Sequence, residues 1–192
     1  MIIPVGALVL EQACKDMVKL KKEFGFDGKM CVNVSGIQIE HSDFFKKLCE
    51  TIELTGIQPH NLEIEITESV IMYDPQRWIK LLGEIKAMGI HIAIDDFGTG
   101  YSSLSYLRKL PVDKLKIDIS FVQDLPFEED ACSIANSIIN LSDNMRMITL
   151  AEGIETQEQA DYLRLNHCEE AQGYLFAKPM NLNALYAWIQ DR

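Results

Sequence analysis

Two hydrophobic rhythms alternate along the chain. In one, apolar residues return every three or four positions, as on the buried face of a helix. In the other they alternate or run together briefly, as in a strand buried on one or both faces. The first rhythm predicts helices over residues 5–24, where Leu8, Ala13, Met17 and Leu20 share a face, and over 43–55, 75–88, 130–143, 156–166 and 182–189. Their ends carry the expected punctuation: Pro75 in a first turn, Thr156 at an N-cap position, and Gly56 and Gly89 just past a last turn. The second rhythm predicts strands over 30–34, 62–68, 91–94, 114–118 and 147–150, with 170–176 as a further strand-like stretch. The strand at 91–94 leads straight into Asp95 and Asp96. A loop with Gly98, Thr99, Gly100, Ser102 and Ser103 follows, and helical spacing resumes at Leu104, Leu107 and Leu110.

Strands that alternate with helices imply a parallel sheet with crossover helices. A polar residue stands at the end of nearly every strand: Asn33, Glu65, Asp95 with Asp96, Lys116, Glu152 and Gln172. In an open doubly wound sheet the ligand sits at one crevice and few strands contribute. In a barrel all carboxyl ends converge on one mouth. The expectation is therefore an α/β fold, a (β/α) TIM-type barrel. With about six strands it is incomplete, since a full barrel has eight strands and about 250 residues. No Ser/Pro-rich linker or low-complexity segment interrupts the 192 residues, so a single barrel domain is expected over 1–192.

Charge narrows the partners. The formal net charge is -11, which argues against DNA and against membrane contact through a basic face. An anionic small ligand stays open, because a metal ion inverts the local field. No apolar run approaches the ~20 residues of a membrane span, and the opening residues carry no signal-peptide pattern. Cys14, Cys31, Cys49, Cys132 and Cys168 are odd in number, form no C-x-x-C pair and sit in apolar patterns. Buried reduced thiols are expected, hence a cytoplasmic protein or the cytoplasmic domain of a larger, membrane-anchored one.

The strand-end residues suggest a chemistry. Glu65, Asp95, Asp96 and Asn33 offer hard oxygen ligands of the kind that Mg²⁺, Mn²⁺ and Ca²⁺ prefer. Lys116 can serve as an electrostatic clamp and Glu152 as a proton acceptor. Together they make a kit for metal-assisted attack of water on a phosphodiester. Each residue alone also has a plainer reading. Asp95 or Asp96 caps a helix, Asn33 forms a turn, and Glu152, like Glu155, favours a helix start. Lys116 is solvated, as Lys114 is expected to be, and Gln172 is structural.

Taken in order, these segments resemble the EAL-domain phosphodiesterases, which hydrolyse cyclic di-GMP to the linear dinucleotide pGpG. The resemblance rests on Cys31-Val32-Asn33-Val34-Ser35 with Gln38, on Leu62-Glu63-Ile64-Glu65-Ile66-Thr67-Glu68-Ser69, and on Ile94-Asp95-Asp96-Phe97-Gly98-Thr99-Gly100-Tyr101-Ser102-Ser103-Leu104. It continues through Leu115-Lys116-Ile117-Asp118 with Ser120-Phe121-Val122, Ala151-Glu152-Gly153-Ile154-Glu155-Thr156, and Gln172-Gly173-Tyr174-Leu175-Phe176 with Lys178-Pro179.

It implies that Asn33, Glu65 and Asp95 are metal ligands, with Asp95 bridging two cations, and that Asp96 is a second-metal ligand or positions water. It implies that Lys116 orients water and stabilises phosphate charge, that Glu152 is the general base or a further ligand, and that Gln172 and Asn33 face the substrate. Glu68 would anchor loop 97–103, which in that family links the metal site to the dimer interface. The Glu-Ala-Leu strand that names the family, with its metal-binding Glu and a following Arg, is not in this chain; residues 1–6 resemble the segment after it. The expectation is thus an N-terminally truncated EAL barrel acting on cyclic di-GMP, dependent on Mg²⁺ or Mn²⁺ and inhibited by Ca²⁺. The alternative is a catalytically impaired domain that binds cyclic di-GMP or a protein and transmits a signal. Unpaired strand edges predict a homodimer or a strand-swapped oligomer.

Overall fold

Six strands join in one sheet in the order of the chain, every pair parallel: β1 (Met30–Asn33), β2 (Leu62–Thr67), β3 (His91–Phe97), β4 (Lys114–Ile117), β5 (Ile148–Ala151) and β6 (Glu170–Ala171). This computed structural model describes residues 2–100 and 103–190, apart from the side chains of Met72 and Pro75. Tyr101 and Ser102 of the glycine loop lie outside the described residues, as do Met1, Asp191 and Arg192. Nearest-neighbour pairing throughout is the topology of a (β/α) barrel, and the six strands curl into half of one.

Both faces of the central strands are buried. The burial of β2 runs almost unbroken from Leu62 to Ile66, although its sequence alternates apolar and acidic residues. Its outer face carries Leu62, Ile64 and Ile66, which join Ile92, Ile94, Leu115 and Ile117 in the main core. Helices pack on that face, among them α1 (Ile2–Phe24), α4 (Glu68–Tyr73), α5 (Pro75–Ala87) and α7 (Glu129–Met145); the described residues also form α2 (Gly36–Glu40), α3 (Phe44–Thr55), α6 (Leu104–Leu107), α8 (Gln157–Leu165) and α9 (Leu182–Gln190). Trp78, Leu82 and Ile85 of α5 and Ala135, Ile138 and Ile139 of α7 are buried against the sheet. Each large aliphatic residue so buried contributes about 1.5–3 kcal/mol. No helix among the described residues is long and apolar enough to cross a membrane.

The structure departs from the sequence expectation at several element ends. The strand expected over 62–68 stops at Thr67, and Glu68 opens a helix. Helix α2 was not expected; it is too short for periodicity to reveal. Its signature is the capping box in which Ser35 accepts from the Gln38 N–H while the Gln38 side chain accepts from Ser35 N. The helix after the glycine loop is a single turn that stops at Leu107. The stretch 170–176 keeps only two residues as strand.

That shortness has a cause at Gly173. A Cβ there would lie 2.1 Å from the carbonyl oxygen of Ile154 and 2.3 Å from its nitrogen. The chain crosses backbone to backbone, with Gln172 N donating to Ala151 O and Ile154 N donating to Gln172 O. Gly173→Ala is expected to destabilise the chain by about 1–3 kcal/mol through overpacking, measured as a lowered urea midpoint. An unchanged midpoint would show that the crossing can open at no cost.

Candidate active site

The pleat and the parallel register place Glu65 of β2, Asp95 of β3, Lys116 of β4 and Glu152, just after β5, on one face at the carboxyl ends of the strands. Lys116 is the hub. Its Nζ lies 2.8 Å from Glu65 Oε2, 2.9 Å from Asp95 Oδ1 and 2.7 Å from Glu152 Oε1. Three ammonium hydrogens meet three carboxylates, which satisfies the lysine completely. Burial alone would lower the Lys116 pKa, but Glu152, Glu65 and Asp95 outweigh it and hold the group well above its usual value. Lys116 is therefore a fixed positive charge.

Two adjacent acids in a regular strand would point to opposite faces. Here they do not, because β3 is irregular. Ile94 pairs with Leu115 and Phe97 with Ile117, so three steps of β3 oppose two of β4. Asp96 absorbs the extra residue in the left-handed region, at φ 53°, a conformation that Asp tolerates better than most residues. Asp95, Asp96 and Glu152 each then offer an oxygen, and these oxygens lie within 4.8 Å of one another. Burial raises the Asp96 pKa, helped by Asp95 and Asp118. Burial also raises that of Glu152, against the pull of Lys116. Such carboxylates gain when a cation joins them, and an all-oxygen donor set of this spacing fits a hard divalent metal.

The supporting contacts follow. Glu68, almost wholly buried, accepts a hydrogen bond from Gly98 N at 2.8 Å and stands 3.1 Å from where a Gly100 Cβ would be. Glu68 thus bonds the start of the glycine loop. Asn33 pairs in register with Glu65 and shares its face at the rim, exposed. Gln172, also exposed, follows β6 and is fixed by its backbone bonds to Ala151 and Ile154. Asn33 thus stands beside Glu65, and Gln172 beside the residue that precedes Glu152.

Three residues were misjudged or passed over. Lys114, expected to be solvated, is buried and paired with Glu63 and Glu170. Cys31, expected to be buried, is exposed and donates to Glu63; the other four cysteines are buried or half-buried, and all five are free. Asp118 helps to raise the Asp96 pKa, and its own Oδ1 accepts from Ser120 N. The spacing Lys116-x-Asp118 at a strand end could have drawn attention to it.

Comparison with known proteins shows the family. The family model described as the EAL domain matches residues 1–179. The cyclic di-GMP phosphodiesterase NbdA of Pseudomonas aeruginosa is 38% identical over 95% of this chain, which spans 23% of that protein. The bifunctional diguanylate cyclase/cyclic di-GMP phosphodiesterase MucR of the same organism is 36% identical over 98% of the chain, which spans 28% of it. This chain therefore covers about a quarter of the length of such relatives. Among solved structures, the PaMucR phosphodiesterase in complex with c-di-GMP superposes with a TM-score of 0.92 at 35% identity, covering 96% of this chain and 74% of that one. The manganese/cy-diGMP complex of Klebsiella pneumoniae BlrP1 gives 0.83 at 26% identity, covering 92% and 45%.

Proposed function

The chain belongs to the EAL-domain family, and from that premise we propose that it hydrolyses cyclic di-GMP to linear pGpG with the help of Mg²⁺ or Mn²⁺. The observation that carries the reading is the convergence of Asp95, Asp96 and Glu152 on one point beside the fixed charge of Lys116. Asp95, Asp96 and Glu65, with Asn33 at the rim, would hold the cation. A bound divalent cation supplies Lewis acidity, lowering the pKa of water and neutralising phosphate charge.

The chain's own residues do the rest. Glu152, whose pKa burial raises against the pull of Lys116, takes the proton from the attacking water. Water adds to one phosphorus, the P–O3′ bond breaks, the departing 3′ oxygen takes a proton from solvent, and Glu152 returns its own to solvent. Lys116 stays charged throughout and stabilises the negative charge that accumulates on the phosphoryl oxygens. Gln172 and Asn33 hydrogen-bond the substrate at the rim. Glu68 anchors the glycine loop at Gly98.

Incubation of the purified chain with cyclic di-GMP and Mn²⁺ or Mg²⁺ tests this. Chromatography is expected to show pGpG, with none in EDTA and less in Ca²⁺. Binding by calorimetry without product would favour the signalling-module alternative; neither binding nor product would end both readings. In the same series, Mn²⁺ at about 100 times its Kd is expected to stabilise the fold by ~2.7 kcal/mol, seen as a raised Tm. Asp95→Asn should lose most of that shift.

A further inference from the structure

A second ionic layer lies beneath the first. Two residues back from Glu65, Lys116 and Gln172 stand Glu63, Lys114 and Glu170, on β2, β4 and β6. Alternate strands supply one layer of a barrel interior, and here all three members are charged. Lys114 Nζ lies 2.7 Å from Glu63 Oε1 and 2.7 Å from Glu170 Oε2. The β3 residue in register with Lys114 is Ala93, too small to obstruct the reach across to β2.

Glu63 is fully buried, and its Oε2 has no hydrogen-bond partner; Lys29 Nζ stands 3.9 Å away. Cys31 Sγ lies 3.4 Å from Glu63 Oε1. Cys31, Glu63 and Glu65 each offer a ligand atom, and these atoms fall within 4.8 Å of one another. One sulfur with two carboxylates suits a softer divalent cation than the all-oxygen cluster above it. The interior thus contains two ligand clusters in adjacent layers, and Glu65 touches both: it belongs to the lower one and accepts from Lys116 in the upper.

We propose that Lys114 is a resident cation that keeps divalent metal out of the Cys31–Glu63–Glu65 cluster and so confines it to the upper site around Asp95 and Asp96. The inference rests on the metal reading of the upper cluster given above. The Lys114 ammonium holds Glu63 Oε1, the oxygen that also accepts from Cys31, and its charge repels a second cation at close range. A metal in the lower cluster would draw Glu65 away from Lys116. Lys114 therefore decides which of two clusters is loaded.

Cadmium, which favours sulfur, tests this through the near-ultraviolet absorption of a cadmium–thiolate bond. On binding, the Cys31 thiol releases its proton to the buffer and the sulfur–cadmium bond forms. Wild type and Lys114→Arg, which keeps the charge, are expected to show no band that depends on Cys31. Lys114→Met and Lys114→Gln should each gain one equivalent of the band, lost again when Cys31→Ser is added. A wild-type band abolished by Cys31→Ser overturns the proposal, and this comparison stands even if the neutral variants fail to fold. So does the absence of any gain in a Lys114→Gln protein whose circular dichroism matches wild type. Mn²⁺ binding to wild type, measured alongside, separates the two ideas. If wild type takes up no Mn²⁺, the upper-cluster reading fails, whereas the cadmium series reports on Lys114 alone.

Discussion

Lys116→Met is expected to lower the turnover of cyclic di-GMP by about 10²–10³-fold, the loss typical of removing a preorganised charge from a reaction centre. It is also expected to tighten the binding of Mn²⁺. The two effects have one origin. The Lys116 ammonium bonds an oxygen from each of three carboxylates, and a metal drawing on the same oxygens competes with it. At an effective dielectric constant of about 20, unit charges ~4 Å apart interact by ~4 kcal/mol. Relief of even a third of that repulsion gives roughly tenfold tighter binding. Without metal the variant should unfold at a lower temperature than wild type, because Glu65, Asp95 and Glu152 then repel one another. Added Mn²⁺ should recover more Tm in the variant than in wild type. Calorimetry and thermal unfolding check both parts. Weaker Mn²⁺ binding in the variant would mean that Lys116 orders the ligands rather than competing for them.

The second large effect concerns the lower layer. Lys114→Met leaves Glu63 buried without its close cation and is expected to cost about 3–5 kcal/mol of unfolding free energy, as when one partner of a buried ion pair is removed. The double variant Glu63→Leu with Lys114→Met should regain most of this, ending within about 1 kcal/mol of wild type or above it, because desolvating two charges consumes much of their attraction. Glu170, on the open edge and less buried, is left to water. Urea denaturation of the two single variants and the double variant measures the coupling. Additive losses would show that the 2.7 Å contact between Lys114 and Glu63 contributes nothing specific.

The fold and the upper cluster were largely legible in the sequence for one reason: in a parallel α/β protein, polar residues interrupt apolar strands where the site is. Glu65, Asp95, Lys116 and Glu152 all stand at such interruptions. The lower layer escaped notice because Glu63 and Lys114 occupy alternate positions within strands, where a polar residue ordinarily marks a solvated face. Local pattern does not distinguish a solvated face from the inner face of a curled sheet. The influence of Asp118 on Asp96 was hidden for a related reason. It depends on the bulge in β3, and nothing in the order of residues announces that Asp96 turns to φ 53°. Helix α2 was readable through Ser35 and Gln38, but only by capping chemistry and not by periodicity.

The line from Glu63 through Lys114 to Glu170 also has a mechanical meaning. Backbone hydrogen bonds fix the spacing of neighbouring strands, but they leave open how sharply a sheet rolls. The two ionic contacts join next-nearest strands, β2 to β4 and β4 to β6, like a tie rod drawn across an arch. The curl that forms the mouth of the upper cluster is thus braced from within by charge as well as by backbone pairing.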